Sequence, residues 1–270
     1  MVLPWSACNQ RISLARVIAT MFISQRFRLG RSKMLGLLDR LALTEGKATS
    51  LYFPRGTPSA RVENLLGKVF AETAMPPGIA EVIAGSGMGA VLFSSLQRTY
   101  LVLPPFPITE EYITDGYDVK LLQALLSHDF LIAVVLVRLG AYSLGICRGT
   151  ELIDSKTGTG LVHARHKKGG SSQARFARHR EKQIESFLDR VCEHVREHIE
   201  PHARSIDFLA YGGARTTILS LRKRCPFLGQ FEDRILRMLL NIPEPRQAVL
   251  EKAVGTVWST DIIEWCEEEL

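Results

Sequence analysis

The sequence predicts an α/β protein in which a mixed β-sheet is flanked by helices, with an additional N-terminal α+β subdomain. Residues 130–138 (FLIAVVLVR) form a near-continuous β-branched and apolar run, typical of a strand buried on both faces. Residues 184–199 repeat apolar side chains every three or four positions, which predicts an amphipathic helix ending at Pro201. Because strands of the first kind alternate with helices of the second kind, we expect a mixed sheet with helical layers.

The composition is that of a globular protein with anionic partners. The chain has 270 residues, of which 46% are hydrophobic and 23% charged, and its net charge is +6. No window reaches the roughly 18 consecutive apolar residues that a membrane helix needs, so we expect no membrane partner. The 5 cysteines are odd in number and form no C-x-x-C pair. This spacing argues against a disulfide framework or a structural zinc site and favours a reducing cytoplasm.

Three segments are expected along the chain. They are a basic helical N-terminal extension at residues 1–44, an α+β subdomain at 45–127, and an α/β domain at 128–270. The first 38 residues contain no acid, and three interpretations of them stay open. They are a basic helix, an Arg-rich targeting segment, or an overlong gene model in which translation starts at Met21 or Met34.

Local patterns predict the elements in order. In the N-terminal half we expect a short helix before Gly46, a strand at 49–54, a helix at 59–75, a hairpin of strands 88–93 and 99–103, and a helix at 120–126. In the C-terminal half we expect a meander of strands 130–138, 141–148 and 151–155, an extended segment at 161–165, the long helix, a strand at 206–211, helices at 229–240 and 244–254, and a last strand at 255–258.

The densest chemical signal is a basic segment at residues 163–182 (HARHKKGGSSQARFARHREK). It contains 7 lysines and arginines and a single acid, Glu181. Such clustering is an electrostatic footprint for a polyanion. Gly169 and Gly170 allow close backbone approach, and Gln173 places a neutral amide beside the cations. A basic loop before a helix is most often a solvated connection, but the amide also suggests chemistry on a nucleic-acid-linked substrate.

Residues 130–265 resemble the middle, catalytic domain of the eukaryotic and archaeal class-1 peptide chain release factors. Both have the strand meander, the basic Gly-Gly loop, a helix opening with Arg175-Phe176-Ala177-Arg178, and an IDFLAYGG-like strand followed by an acidic-hydrophobic helix. In the release factors the glutamine directly follows the glycines, whereas here Ser171 and Ser172 intervene. In this respect the chain looks like the release-factor-like peptidyl-tRNA hydrolases of ribosome-associated quality control, in a short bacterial or archaeal form.

The resemblance implies a ribonuclease-H-like catalytic domain that hydrolyses the ester between nascent peptide and tRNA. Residues 45–127 contain no stop-codon-reading motif, so this hydrolysis is expected to be independent of a stop codon. The implied partners are the large ribosomal subunit, its rRNA, and the CCA end of peptidyl-tRNA. No cofactor is implied, and we expect a cytoplasmic protein that is monomeric when free.

The resemblance also implies roles for particular residues. The catalytic set is Gln173, Gly169 and Gly170. The nucleic-acid-binding set is Arg165, His166, Lys167, Lys168, Ser171, Ser172, Arg175, Arg178, Arg180 and Lys182. Phe176 either packs the first helical turn or stacks on a base.

Three alternatives are weighed against this interpretation. A non-catalytic ribosome- or tRNA-binding rescue factor would use the same cations without cleaving the ester. A metal site at His194, His198 and His202 is disfavoured because Pro201 interrupts their helix and their surroundings are charged. A two-metal nuclease would need carboxylates clustered on strand faces, and it is disfavoured because the strand at 130–138 carries none. Asp129, Asp154 and Asp207, near strand ends, are therefore expected to be turn or cap residues.

Overall fold

The computed structural model describes residues 22–70, 75–163 and 173–267, which divide between two compact units. The first unit takes residues up to Gln123 together with those from Thr260 onward, and the second takes Ala124–Ser259. Within the described residues, no helix combines the length and apolar character needed to cross a membrane.

The elements are numbered along the described chain. The strands are β1 (Phe22–Leu29), β2 (Ala48–Phe53), β3 (Ala90–Ser95), β4 (Thr99–Leu103), β5 (Tyr112–Asp115), β6 (Leu131–Arg138), β7 (Ala141–Arg148), β8 (Glu151–Thr159), β9 (Phe208–Gly213) and β10 (Thr260–Glu267). The α-helices are α1 (Arg31–Ala42), α2 (Ser59–Val69), α3 (Ile79–Gly85), α4 (Lys120–Ser127), α5 (Gln173–Ile199), α6 (Arg215–Arg224) and α7 (Gln247–Val257), and 3₁₀ turns cover Glu200–His202 and Pro226–Arg234.

The first unit is an antiparallel sheet covered by helices, as the α+β prediction requires. Its strand order is β1-β10-β4-β3-β2-β5, and the predicted hairpin is formed by β3 and β4. Its core contains Leu51, Phe53 and Leu92 from the sheet, against Val62 and Leu66 from α2. Alternate strand residues therefore bury one face of the sheet under the helices.

Two predicted segments differ from the structure at the ends of this sheet. Residues 1–44 were expected to be a helical extension, but in the described part of this segment Phe22–Leu29 is a strand and Arg31–Ala42 a helix. Residues 255–258 were expected to be the last strand of the 128–270 domain, but they lie in and directly after α7. The strand is Thr260–Glu267, which belongs to the first unit and pairs with β1 and β4. Pairing between strands so far apart in sequence leaves no local periodicity.

The second unit contains the sheet β8-β7-β6-β9, in which β6 pairs antiparallel with β7 and parallel with β9. The two faces of β6 are both buried, which confirms the prediction from its apolar run. Ala133 and Val135 lie in the core formed with α5 and α6. On the opposite face α7 packs on β6, β7 and β8, where Leu250 lies over Gly145. The confirmed mixed sheet flanked by helices is therefore centred on β6.

The segment after β9 differs from the prediction in two places. Helix α6, which directly follows the IDFLAYGG strand, was not predicted; it carries no acid and ends in Arg222, Lys223 and Arg224. The helix expected at 229–240 is instead a 3₁₀ turn followed by extended chain that forms parallel bridges with β9. The backbone N–H groups of Leu236 and Leu240 donate to β9 carbonyls at 2.9 Å, so edge pairing replaces helical hydrogen bonds.

A disulfide joins α5 to the end of α6, although the cysteine spacing did not indicate a disulfide framework. Cys192 and Cys225 are 33 residues apart in sequence, and their Cα atoms are 5.4 Å apart. Beside them, the Arg224 guanidinium donates to both carboxylate oxygens of Asp189 at 2.7 Å. This hydrogen bonding holds the pKa of Asp189 below its usual range. Cysteine spacing in the sequence could not reveal the disulfide, because the approach of Cys192 to Cys225 depends on how α5 and α6 pack.

Reduction of the Cys192–Cys225 bond is expected to lower the stability of the second unit. A cross-link that spans 33 residues stabilises by about 3–4 kcal/mol through the entropy of the unfolded chain, which corresponds to roughly 10 °C in Tm. Thermal unfolding with and without reductant measures the shift. The double variant Cys192→Ser/Cys225→Ser should have the Tm of the chemically reduced wild type under both conditions. A wild-type Tm that is the same with and without reductant would contradict the cross-link.

Candidate functional site

Helix α5 determines where the predicted catalytic glutamine lies, because Gln173 is its first residue. The helix has 27 residues and extends for about 40 Å. One stripe of its side chains enters the core of the second unit, which confirms the predicted amphipathic pattern. The buried residues of this stripe are Phe187, Leu188, Val191, Val195 and Ile199. Gln173 is therefore carried on the N-terminal end of an element whose later turns are fixed in the core.

The first turns of α5 are exposed and basic. Arg175, Arg178 and Lys182 are spaced at i, i+3 and i+7, which places them on one face of the helix. The side chain of Phe176 is 57% exposed, so it is not a core residue. An exposed aromatic ring among cations is the arrangement that suits stacking on a base, the second of the two roles predicted for it.

The remaining predicted site residues cannot be placed on this surface. They lie outside the described residues and keep their predicted roles only as predictions: Arg165, His166, Lys167, Lys168, Gly169, Gly170, Ser171 and Ser172. The extended segment expected at 161–165 is not a strand over residues 161–163, and its last two residues fall outside the described chain.

Two side chains of α5 hold the backbone of His163, directly before the undescribed stretch. The His163 N–H donates to Gln183 Oε1 at 3.2 Å, and Arg180 Nε donates to the His163 carbonyl oxygen at 2.9 Å. The rings of His163 and His179 have centroids 6.4 Å apart and planes inclined by 31°. Arg180 thus has a structural contact that its predicted phosphate role did not include. Gln183 was not predicted at all, since no sequence pattern marks a side chain that binds a distant backbone group.

A groove of about 310 Å³ runs beside this contact. The chain after β8 forms one wall and α5 the other. The lining residues are Gly160, Leu161, His179, Lys182, Gln183, Ser186, Phe187 and Arg190. Among the described residues no carboxylate lines the groove, whereas the cations Lys182 and Arg190 do. Because phosphate contacts come mainly from such cations, its chemistry suits a nucleic-acid backbone. Arg190 is the cation of this groove that the sequence interpretation missed.

The alternative catalytic groups have other partners. His194 stacks on Tyr142 and its Nδ1 lies 2.7 Å from Glu197, while His198 Nδ1 lies 2.8 Å from Asp154. Across residues 22–70, 75–163 and 173–267 no group of three metal-ligating side chains converges. Asp207 accepts from the backbone N–H of Leu131 at 2.8 Å, which is the cap role expected for it.

A nucleophilic role for the Cys147 thiol is also disfavoured. Cys147 is fully buried in β7, and its Sγ contacts the Ile132 carbonyl oxygen at 3.4 Å. Burial raises the pKa of this thiol to about 12, so it carries no thiolate at neutral pH.

Comparison with known proteins points to translation factors. Residues 131–263 match the family described as the Actinobacteria/Chloroflexi VLRF1 release factor. The chain is similar to peptide chain release factor subunit 1 of Aeropyrum pernix, with 24% identity over 213 residues. That alignment covers 67% of this chain and 56% of the archaeal protein. The chain therefore spans little more than half the length of this relative.

Two solved structures are similar at low identity. The archaeal translation termination factor aRF1 shares 16% identity, with 85% of this chain and 70% of that chain covered and a TM-score of 0.39. The Pelota protein of Thermoplasma acidophilum shares 9% identity, with 84% and 62% covered and a TM-score of 0.23. These superpositions are too distant to carry weight. It is the family match over residues 131–263, together with the archaeal relative, that identifies this part of the chain as a release-factor-like domain.

Proposed function

We propose that the protein is a ribosome-associated peptidyl-tRNA hydrolase that acts in the cytoplasm on stalled complexes, without a stop codon. The observation that carries this proposal is the position of Gln173. It is the first residue of the core-anchored helix α5, directly after the Gly-Gly-Ser-Ser sequence, within the region that matches a release-factor family. The ester is its substrate, and the large ribosomal subunit and the CCA end of tRNA are its partners.

The chemistry requires positioning more than a strong nucleophile, because the peptidyl-tRNA ester is already activated. Holding a water molecule in line with the ester carbon can supply about 7–11 kcal/mol in favourable cases. The amide of Gln173 can accept a hydrogen bond from this water and brings no charge into a phosphate-rich site. The backbone N–H of Gln173 lies in the first turn of a helix, where N–H groups have no intrahelical partner. It is therefore available to stabilise the developing oxyanion or the leaving 3′-oxygen.

The exposed cations of α5 supply affinity for RNA. Arg175, Arg178 and Lys182 share one helix face, and the adjacent groove adds Arg190 and, among the described residues, no carboxylate. Binding that neutralises phosphates releases counterions, so affinity is expected to fall steeply as salt rises. Gly169 and Gly170 would let the loop thread beside the CCA end.

The test is peptide release from purified ribosomal complexes that hold peptidyl-tRNA. We expect equal release whether the complex displays a sense codon, displays a stop codon, or is a large subunit without mRNA. Release that depends on a stop codon would contradict the proposal and indicate that the protein acts as a decoding release factor. Cleavage of free peptidyl-tRNA at the same rate as on the ribosome would show that the activity does not require the ribosome.

Neutralising single cations of the α5 face is expected to weaken ribosome binding in a salt-dependent way. For Arg175→Gln and Lys182→Gln, the slope of log affinity against log salt should become shallower by roughly 1 for each lost phosphate contact. Arg204 is a matched control, because it is an exposed arginine outside the basic segment. Co-sedimentation across a salt series measures the slopes. Equal slopes for Arg175→Gln and Arg204→Gln would place the RNA contact elsewhere.

A further inference from the structure

The backbone of His163 is held at both of its polar groups by side chains from one face of α5. Gln183 accepts from the His163 N–H, and Arg180 donates to the His163 carbonyl oxygen. Arg180 and Gln183 are spaced at i and i+3, so they are neighbours on the helix surface. We call this pair of contacts the His163 clamp. It uses one acceptor and one donor to satisfy a backbone unit outside regular secondary structure.

The chain that leads to the clamp is already pressed against α5. At Gly160 a Cβ atom would lie 2.6 Å from the ring of Phe187, so the backbone crosses the helix in direct contact with this side chain. The Gly160 N–H donates to the Gly140 carbonyl oxygen at 2.9 Å, and Val162 packs against the core of the second unit. The clamp is therefore the last of a series of anchors between the end of β8 and residue 164.

Both ends of the stretch between His163 and Gln173 are consequently fixed to the same helix. Gln183 follows Gln173 by 10 residues along α5, about 15 Å of helix. The helix is continuous between them, so the separation between the entry of this stretch and Gln173 is determined by α5 itself. Ordering the entry before substrate binds reduces the entropy lost on binding.

We propose that Arg180 and Gln183 are positioning residues that hold His163 and thereby set the place where the chain enters residues 164–172 relative to Gln173. Neither residue contacts the substrate in this role. The proposal rests on the proposed hydrolase function, because the geometry it preserves is that of Gln173. Misplacement of a positioned group by about 1 Å costs up to a hundredfold in rate, so weakening the clamp should lower kcat rather than ribosome affinity.

Gln183 allows a sharp test because its two replacements separate the acceptor from the amide. Gln183→Glu keeps an oxygen that accepts from the His163 N–H, and Gln183→Met removes it at similar size. Hydrogen exchange of the His163 amide should be about fivefold faster in Gln183→Met and unchanged in Gln183→Glu. Release kcat should fall about tenfold in Gln183→Met, with KM unchanged, and should be retained in Gln183→Glu. Arg180→Met should lower kcat similarly, with partial rescue in Arg180→Lys.

The outcomes separate the clamp from an RNA contact. If Gln183 acted through RNA rather than through the His163 N–H, Gln183→Glu would lower kcat as much as Gln183→Met does, and that result would overturn the proposal. Unchanged exchange of the His163 amide in Gln183→Met would overturn it as well. If the wild-type protein released no peptide, the proposed hydrolase function would fail, and hydrogen exchange alone would still decide whether the clamp exists.

Discussion

Replacing Gln173 by alanine is expected to lower the rate of peptide release by at least about 100-fold, the usual cost of removing one preorganised hydrogen-bonding group from a hydrolytic site. The substitution removes the amide that would hold the attacking water. It leaves α5 intact, because alanine is the best helix former and Gln173 is the first residue of that helix. Ribosome binding should be retained, since the cations at Arg175, Arg178 and Lys182 are untouched. The rate is measured as single-turnover release from stalled complexes.

Gln247 provides a matched control for this experiment. It is also a glutamine at the first position of a helix, α7, and lies outside the basic segment. Gln247→Ala should release peptide at the wild-type rate and should bind ribosomes normally. If Gln173→Ala released peptide as fast as Gln247→Ala, the glutamine would have no catalytic role.

Replacing Gly213 by alanine is expected to destabilise the second unit by more than about 3 kcal/mol. Gly213 adopts a φ of +120°, and a Cβ atom there would lie 2.0 Å from the Val137 carbonyl oxygen. This oxygen belongs to the backbone of β6, which is the parallel partner of β9 at this position and cannot move without disturbing the central pairing. The Gly213 N–H also donates to the Leu240 carbonyl oxygen at 3.0 Å, so the residue is held from two sides.

Gly255→Ala is the control for the backbone argument. Gly255 lies inside α7, and a Cβ atom added there would meet no atom within 4 Å beyond its own helix backbone and chain neighbours. This substitution should therefore stabilise the protein by up to about 1 kcal/mol. Urea unfolding gives both values from the shift in the midpoint at constant slope. Similar midpoints for Gly213→Ala and Gly255→Ala would contradict the close pairing of β6 with β9.

Local sequence patterns predicted the elements whose burial is regular along the chain. Side-chain spacing alone indicates which residues are buried in the apolar run of β6, the hairpin of β3 and β4, and the stripe of α5. Strands β1 and β10 were missed because their stability comes from each other. Arg28 on β1 forms a bidentate ion pair with Asp261 on β10 at 2.8 and 2.9 Å, across more than 200 residues of sequence.

The candidate site, like the fold, could be predicted from the sequence only where it depends on local patterns. The density of cations and the position of Gln173 before a helical stripe are visible in the sequence, as is the common face of Arg175, Arg178 and Lys182. The contacts of Arg180 and Gln183 with His163 depend on how the chain after β8 crosses α5, and no local pattern records that crossing. The disulfide between Cys192 and Cys225 was not predicted for the same reason, because it depends on helix packing.

The most direct test of the central claim is the state of the ester bond after the wild-type protein meets a stalled complex. Purified protein is mixed with large-subunit complexes that carry labelled peptidyl-tRNA, and the products are separated by size. The hydrolase account predicts conversion to free peptide and deacylated tRNA in the wild type and persistence of peptidyl-tRNA with Gln173→Ala. Wild-type protein that co-sediments with the ribosome while the peptidyl-tRNA stays intact would contradict the account and identify a non-catalytic binding factor.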